Sequence, residues 1–440
     1  MAVPQPGSPH PTAQSIEDAD GFSVIGISPD LTVDGGDLDC GSGLLLIIRK
    51  AMNQLQEGQI LEVDSTEISV REDLPAWCRM TRNEYLTAMD GGDRIKYLVR
   101  KGAGTSGWGT PDWGVRVPRR SGRLDMRDWL TGRVGQIPDE APTYLGFVPR
   151  GAVAEPGMPD YGFAINRRDE VWADNIADLY EQAKGAQWDA STAIAWDELP
   201  SLDPDIEKAV CQIMTFLAEN EYSALYIPCK FMPRINPQFT EVLLFLATVV
   251  NDEARHIEAF TKRALANGGG LQYASAATEW SLYSLLVQED YFRSSFLLHV
   301  LGEGTFLDLL RFCEEHAPDP VTLDVVRRAR QDEARHVAYG VAHLKHQLSK
   351  QPDSVSELAE AVESRADAIA ATTGATPFVM EALAVLAGGG SSPSQMSAGV
   401  AKVKKLYRTM HENRVQRLLQ AGVSQAMADR MSDLHTPNFM

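Results

Sequence analysis

The pentapeptide Asp-Glu-Ala-Arg-His occurs twice in the chain, at Asp252–His256 and again at Asp332–His336. In each copy the glutamate and the histidine are three residues apart, about 300° around an α-helix, so both side chains face the same side. A carboxylate and an imidazole from each of two helices supply half or more of a site for two metal ions. The repeat therefore predicts a helical bundle with a metal site in its core.

The remaining carboxylates of such a site are expected one antiparallel helix upstream, about 30 residues before each pair. Glu303 lies 30 residues before Glu333, and Glu221 lies 32 residues before Glu253. Glu303 also stands in an apolar stretch, where an unpaired carboxylate would be costly to bury. We predict six metal ligands, of which the four glutamates are also the catalytic residues: Glu221, Glu253, His256, Glu303, Glu333 and His336.

Two further residues leave alternatives open in this ligand set. Glu219 is a rival for Glu221, but the two lie about 200° apart on a helix and cannot both face one centre. Glu221 is preferred because the neighbouring Ala224 and Leu225 are expected to face the core. His299 lies one turn before Glu303, and it is either an extra ligand or a buried histidine of the core or of a channel.

Asp252 and Asp332 directly precede the predicted ligand glutamates. An aspartate near a metal-bound imidazole can accept its free N–H group and fix its tautomer. We predict this role for both aspartates, with Arg255 and Arg335 as their ion-pair partners. The alternative is that all four are surface charges of the helices.

The predicted ligands are four carboxylates and two imidazoles. Such oxygen-rich surroundings suit iron or manganese, whereas zinc favours fewer ligands with more nitrogen or sulfur. We therefore expect two iron ions, with manganese as the alternative metal. A pair of iron ions can reduce O₂ and oxidise a substrate bound beside it. The competing interpretation is a charged helical bundle without a metal.

With Glu221 and Glu303, the two pentapeptides resemble the ferritin-like di-iron carboxylate superfamily, over roughly residues 168–350. This superfamily includes the ribonucleotide reductase radical subunit, bacterial multicomponent monooxygenases, acyl desaturases and arylamine N-oxygenases. The reductase subunit carries a radical tyrosine one turn after the histidine of its first pair. Here that position is Phe260, which favours oxidase or oxygenase chemistry over a radical role.

Residues 22–101 alternate short β-like runs with amphipathic segments. Their periodicity predicts strands at Ile60–Val63 and Ile95–Val99, and helices at Leu44–Leu55 and Leu74–Leu86. A small α/β module is therefore expected before the helical bundle.

This module resembles the TusA-like sulfur-carrier family, above all in Asp73–Cys78 and in the closing strand Lys96–Lys101. The resemblance implies a two-layer fold with a reactive cysteine at the start of the first helix, normally within Cys-Pro-x-Pro. Here that place is Cys40–Gly43, which reads Cys-Gly-Ser-Gly. Cys40 remains, but both prolines are absent. We therefore favour a carrier fold that no longer transfers sulfur and is used for docking or substrate presentation. Sulfur transfer through Cys40 is the alternative.

Composition divides the chain into five segments. We predict a disordered lead-in at residues 1–21, the TusA-like domain at 22–101, a Gly/Pro-rich linker at 102–165, the ferritin-like bundle at 166–351 and a C-terminal helical extension at 352–440. The expected fold class is α+β multidomain, with a small two-layer α/β module followed by an all-α bundle.

Charge and cysteine usage limit the partners and the compartment. The net charge of −19 disfavours nucleic acid and anionic membranes, and we expect neither as a partner. The sequence contains no stretch of about 18 uninterrupted apolar residues, so we expect no membrane span. The five cysteines are scattered without a C-x-x-C pair, which fits reduced thiols in a cytoplasm.

The leading hypothesis is a cytoplasmic non-haem di-iron oxidoreductase that activates O₂ and oxidises a small organic substrate. No flavin or nicotinamide fingerprint is present, so a ferredoxin or a flavoprotein reductase is the expected electron donor. A second hypothesis has the TusA-like domain deliver a thiol or persulfide through Cys40. A third is a non-catalytic ferritin-like metal-binding protein. The sequence leaves a homodimer open.

Overall fold

The computed structural model describes residues 27–103, 122, 124–131, 137–152, 154, 157–370 and 377–435. These residues form two compact units, a small N-terminal unit that contains residues 27–103 and a larger helical unit. The lead-in predicted for residues 1–21 lies outside the described residues.

The N-terminal unit is built on a four-stranded sheet. Its strands are β1 (Leu31–Gly36), β2 (Ile60–Ser65), β3 (Glu84–Asp90) and β4 (Ile95–Arg100), in the order β1-β2-β4-β3. β1 and β2 are parallel, and the other two neighbouring pairs are antiparallel. The parallel pair needs a crossover connection, and a helix supplies it.

Two helices pack their apolar sides onto this sheet, α1 (Leu45–Met52) and α2 (Val70–Met80). A single π-helical turn, Cys40–Leu44, leads into α1. Leu44, Ile48 and Leu74 are fully buried between the helices and the sheet. The result is a two-layer α/β fold, as predicted.

The helix predicted at Leu74–Leu86 is wrong in its second half. It ends at Met80, and Glu84–Asp90 forms β3 instead. Arg82 has a φ of 56°, which a right-handed helix cannot accommodate. The N–H of Asn83 donates to the carbonyl of Cys78 at 3.0 Å and closes the helix end. The chain can then turn and pair with β4.

The helical unit contains twelve helices within the described residues. They are α3 (Met126–Thr131), α4 (Ile176–Gly185), α5 (Pro204–Phe231), α6 (Thr240–Ala266), α7 (Ala276–Leu286), α8 (Tyr291–Ser295), α9 (Glu303–Glu315), α10 (Pro320–Lys350), α11 (Ser354–Ala370), α12 (Pro377–Gly388), α13 (Pro393–Gln420) and α14 (Gln425–His435). A π-helical segment, Phe296–Gly302, joins α8 to α9 in one continuous rod.

Four long rods form the core of this unit. Short connections make α5 antiparallel to α6, and the rod of α8 and α9 antiparallel to α10. Two of these helices begin with an aspartate cap followed by proline: Asp203 caps α5, and Asp319 caps α10 by accepting from the N–H of Thr322 at 2.7 Å. Helices α12 and α13 pack on the outside of α5 and α9.

Part of the Gly/Pro-rich segment lies against the helical unit. Arg150 forms a buried bidentate ion pair with Glu241 at the start of α6. The N–H of Ile165 donates to the carbonyl of Arg234 at 2.9 Å. None of the described helices combines the length and the apolar composition that a bilayer crossing requires.

Candidate metal centre

All six residues predicted as metal ligands come together between the four core rods. Their nitrogen and oxygen atoms form two groups, in each of which the atoms lie within 4.8 Å of one another. The groups are Glu221, Glu253, His256 and Glu333, and Glu253, Glu303, Glu333 and His336. Glu253 and Glu333 belong to both groups, so each group adds one histidine and one glutamate of its own.

The helices place these side chains as the three-residue spacing requires. Glu253 and His256 point inward from α6, and Glu333 and His336 point inward from α10. Glu303 is the first residue of α9, directly after the π-helical segment. Such wide turns occur often at functional sites because they reorient the side chains that follow.

The cluster is buried but its polar atoms lack partners. All six residues are at most 1% exposed. Nine of their atoms make no hydrogen bond of acceptable geometry with any described residue: both carboxylate oxygens of Glu221, Glu253 and Glu333, Oε1 of Glu303, and Nδ1 of His256 and His336. Buried polar atoms are nearly always paired. Bound cations would supply what these atoms lack, so the residues fit a two-metal site.

The Nδ1 atoms of both histidines face the carboxylates. Nδ1 of His336 lies 2.9 Å from Oε1 of Glu253, and Nδ1 of His256 lies 3.3 Å from Oε1 of Glu333. The Nε2 atoms point away from the cluster. Nδ1 is therefore the nitrogen of each ring that can bind a metal.

Each outward-facing Nε2 atom meets an aspartate of the opposite pentapeptide. Nε2 of His256 lies 3.2 Å from Oδ2 of Asp332, and Nε2 of His336 lies 3.3 Å from Oδ2 of Asp252. Each aspartate can accept the Nε2–H proton, which leaves the Nδ1 lone pair directed at the cluster. The aspartates thus meet the histidines as expected, but each reaches across to the other helix.

The two aspartates are held by the two arginines of the repeat. Arg255 donates to both Asp252 and Asp332, and Arg335 also donates to both. All four residues are buried, so the alternative that they are surface charges is wrong. This network of two cations and two anions fixes the carboxylates that orient the imidazoles.

Two residues that donate hydrogen bonds to these aspartates were not predicted from the sequence. The indole N–H of Trp188 donates to Oδ2 of Asp332 at 2.8 Å, and the side-chain amide of Gln187 donates to Oδ1 of Asp252 at 3.2 Å. Both residues lie in the connection between α4 and α5, where no periodicity marks them. The guanidinium of Arg255 also stacks over the Trp188 ring at 4.8 Å.

The carboxylates shift one another's pKa. Burial and the charge of Glu253 raise the pKa of Glu221 well above its usual value. Burial alone would raise the pKa of Glu253, but the neighbouring Glu221 and the two histidines hold it well below its usual value. Burial would lower the pKa of His256, yet Glu221 and Asp332 raise it well above its usual value. The cluster attracts positive charge.

The structure separates the alternatives around the ligand set. Glu219 is in neither group; burial and the adjacent Glu279 raise its pKa to about 8. His299 is also outside both groups, and its Nδ1 lies 2.6 Å from Oε2 of Glu303. His299 is thus a buried histidine that holds a candidate ligand. Phe260 is buried, with its ring centre 6.2 Å from that of His256.

Cys40, the candidate sulfur carrier, lies in the π-helical turn of the N-terminal unit. The preceding Asp39 caps this turn and accepts from the N–H of Ser42 at 2.6 Å. Cys40 is 8% exposed, and burial together with Asp73 and Asp39 raises the pKa of its thiol to about 11. This environment disfavours a thiolate, the opposite of what a nucleophilic cysteine needs.

Comparison with known proteins assigns the N-terminal unit. The sulfurtransferase TusA family matches residues 42–101. A putative sulfur carrier protein of Bacillus subtilis (strain 168), YrkI, is 37% identical over 73 residues, which are 17% of this chain and 96% of YrkI. The chain belongs to the TusA family through its N-terminal unit. The TusA unit also matches YrkF, a putative sulfur carrier protein of the same organism, with 35% identity over 54 residues, 12% of this chain and 29% of YrkF.

Solved structures similar to the chain are R2-like ligand-binding oxidases. One variant with an aerobically reconstituted Mn/Fe cofactor is 16% identical to this chain, with a TM-score of 0.45. The match covers 58% of this chain and 95% of the oxidase chain. Another, with an Fe/Fe cofactor, is 17% identical with the same coverage and a TM-score of 0.45. The predicted order of a small TusA-like α/β unit followed by an all-α helical bundle is confirmed.

Proposed function

We propose that the helical unit is a non-haem di-metal oxidase or oxygenase that activates O₂ and oxidises a small organic substrate in the bundle. The observation that carries this proposal is the set of nine buried nitrogen and oxygen atoms without hydrogen bonds. Removing four carboxylates from water costs free energy, and bound cations would offset that cost.

Six residues would hold the two ions: Glu221, Glu253, His256, Glu303, Glu333 and His336. Four carboxylates and two imidazoles suit iron, with manganese as the alternative. The bound metals would supply the reduction of O₂. Because Glu253 and Glu333 belong to both groups, they would help to hold both ions, while Glu221 and Glu303 would each help to hold one.

The other residues of the site orient these ligands. Asp332 and Asp252 keep the protons on Nε2 of the two histidines, so that Nδ1 is the nitrogen that would give up its proton to a metal ion. His299 lies against Oε2 of Glu303 and leaves Oε1 of that carboxylate directed at the cluster. His299 is therefore a positioning residue.

The reaction is of the hydroxylation or N-oxygenation type. Inserting one atom of O₂ into a substrate and reducing the other to water takes two electrons from outside the substrate. The chain has no flavin or nicotinamide fingerprint, so we propose a ferredoxin or a flavoprotein reductase as the donor.

Metal analysis of the purified full-length chain tests the proposal. Mass spectrometry of the metals and anomalous scattering at the iron edge should give two ions per chain, iron or iron with manganese. Glu253→Gln should lose metal, whereas Glu219→Gln, which alters a carboxylate outside both groups, should keep two ions. Fewer than two metals in the unchanged protein, or zinc at full occupancy, would contradict the proposal.

The TusA match supports a second candidate, in which Cys40 brings a thiol or persulfide to be oxidised. The raised pKa of Cys40 speaks against it. Substrate turnover that is unchanged in Cys40→Ser would remove this candidate. A third candidate, a non-catalytic ferritin-like metal-binding protein, would oxidise added Fe(II) but turn over no organic substrate with any reductant.

A further inference from the structure

A cavity lies on the outer side of the bundle, between α5, α6 and α7. Its volume is about 500 Å³, within the range of small-molecule sites. Glu219 and Glu221 are two residues apart on α5, so their side chains leave the helix on nearly opposite sides. Glu221 points into the metal cluster and Glu219 lines this cavity. The cavity is therefore separate from the candidate metal centre.

The cavity has a negative wall. Glu219 of α5 and Glu279 of α7 line it with their carboxyl groups next to each other. Oε1 of Glu219 is buried and makes no hydrogen bond with any described residue. The residues that line the cavity include no lysine, arginine or histidine. A cationic group of a ligand would satisfy Oε1 of Glu219 and could also pair with the exposed carboxyl group of Glu279.

The other walls are aromatic and apolar. Tyr222 and Tyr226 on α5 and Tyr283 on α7 line the cavity, and each is a little over half exposed. Leu282 and Leu286 add aliphatic surface. Tyrosine faces attract cations and also bury apolar groups. Three exposed tyrosines around one cavity therefore favour a ligand with both a positive charge and an apolar body.

We propose that this cavity binds a small organic ammonium ion, with its ammonium group at Glu219 and Glu279 and its apolar body among the tyrosines. A bare divalent cation fits less well, because calcium takes six to eight oxygen ligands and magnesium usually about six including waters. Two carboxyl groups leave most of that shell to water and leave the tyrosines without a role. This site does not depend on the function proposed for the metal cluster.

The test is calorimetric titration of the full chain at pH 9, above the pKa of about 8 of Glu219, so that both carboxyl groups are ionised. The two probes are phenethylammonium and its neutral analogue 2-phenylethanol. The ammonium ion should bind at least about tenfold more tightly than the alcohol, since only the former can pair with the carboxylates. Glu279→Gln removes one charge but keeps a polar side chain beside Glu219, and it should weaken ammonium binding by about tenfold. Tyr226→Ala should weaken it by about threefold, in line with an exposed cation–π contact.

Matched controls come from the same unit. Glu381→Gln removes an exposed carboxylate from α12, and Tyr144→Ala removes an exposed tyrosine outside the cavity, so both should bind the probe like the unchanged protein. Metal content should stay the same in Glu279→Gln, which separates this site from the metal cluster. Equal binding of the two probes, or full binding by Glu279→Gln, would overturn the proposal. So would a calorimetric signal for Mn²⁺ alone that Glu279→Gln abolishes while phenethylammonium gives none.

Discussion

Nε2 of His256 on α6 lies 3.2 Å from Oδ2 of Asp332 on α10, and this contact joins the two copies of the repeated pentapeptide. The same carboxylate oxygen accepts from the indole of Trp188 and from Arg255. Asp332 of α10 thus links the orientation of His256 on α6 to Trp188 in the loop before α5.

Asp332→Asn should weaken metal binding by about 10–100-fold, because the amide no longer holds the proton on Nε2 of His256 as firmly. Competition with a chromogenic chelator measures this affinity. Asp178→Asn, which removes an exposed carboxylate of α4, is the control and should leave the affinity unchanged. Equal affinities in the two variants would show that Asp332 does not orient the ligand.

Glu221→Gln should change stability in opposite directions with and without metal. In the metal-free protein the raised pKa of Glu221 means that the folded state holds its proton above pH 4.5, where the unfolded chain releases it. Stability is therefore lost as the pH rises above about 4.5, and the glutamine variant escapes this loss. We expect the metal-free variant to be about 1–3 kcal/mol more stable than the unchanged protein at pH 7, and the metal-loaded variant to be less stable.

Urea unfolding of both proteins at pH 5, 6, 7 and 8 measures this effect. The difference between the metal-free proteins should grow with pH. A difference that stays constant, or one that shrinks, would contradict the assigned pKa direction of Glu221.

Cys40 should resist alkylation near neutral pH. With a pKa of about 11 in place of 9.0, its thiolate fraction at pH 8 is roughly a hundredfold lower than that of an unperturbed thiol. Cys229 is exposed and serves as the internal control. Mass spectrometry after a short iodoacetamide pulse should find Cys229 modified and Cys40 free, with Cys40 labelling rising as the pH approaches 11. Equal labelling at pH 7 would restore Cys40 as a sulfur carrier.

Gly340→Ala should destabilise the protein by about 1–3 kcal/mol despite the better helix propensity of alanine. A Cβ atom at Gly340 on α10 would lie 2.5 Å from Cβ of His299, so one of the two rods must shift. Gly185→Ala is the matched control, since a Cβ atom there meets nothing within 4 Å. Thermal unfolding measures both. Because His299 contacts Glu303, the metal content of Gly340→Ala should also fall.

The sequence predicted the local part of this site well and the non-local part poorly. The spacing within Glu253–His256 and the offset to Glu221 are properties of a helix and of an antiparallel pair, so the residues alone indicate them. Which aspartate accepts from which histidine depends on how α6 packs against α10. The periodicity of a single helix does not predict this packing. The contact of Trp188 with Asp332 was not predicted for the same reason, because Trp188 lies in a loop. The strand β3 was missed because its edge position gives only a weak alternating pattern.

The sharing of Glu253 and Glu333 by both groups has a consequence for how the site fills. The two aspartates of the network are already neutralised by Arg255 and Arg335. The four glutamates of the cluster carry four negative charges when ionised, which equals the positive charge of two divalent ions. A chain with a single ion would keep a buried surplus of negative charge that protons must cancel. Each ion that enters should therefore release protons, and the affinity for metal should rise with pH.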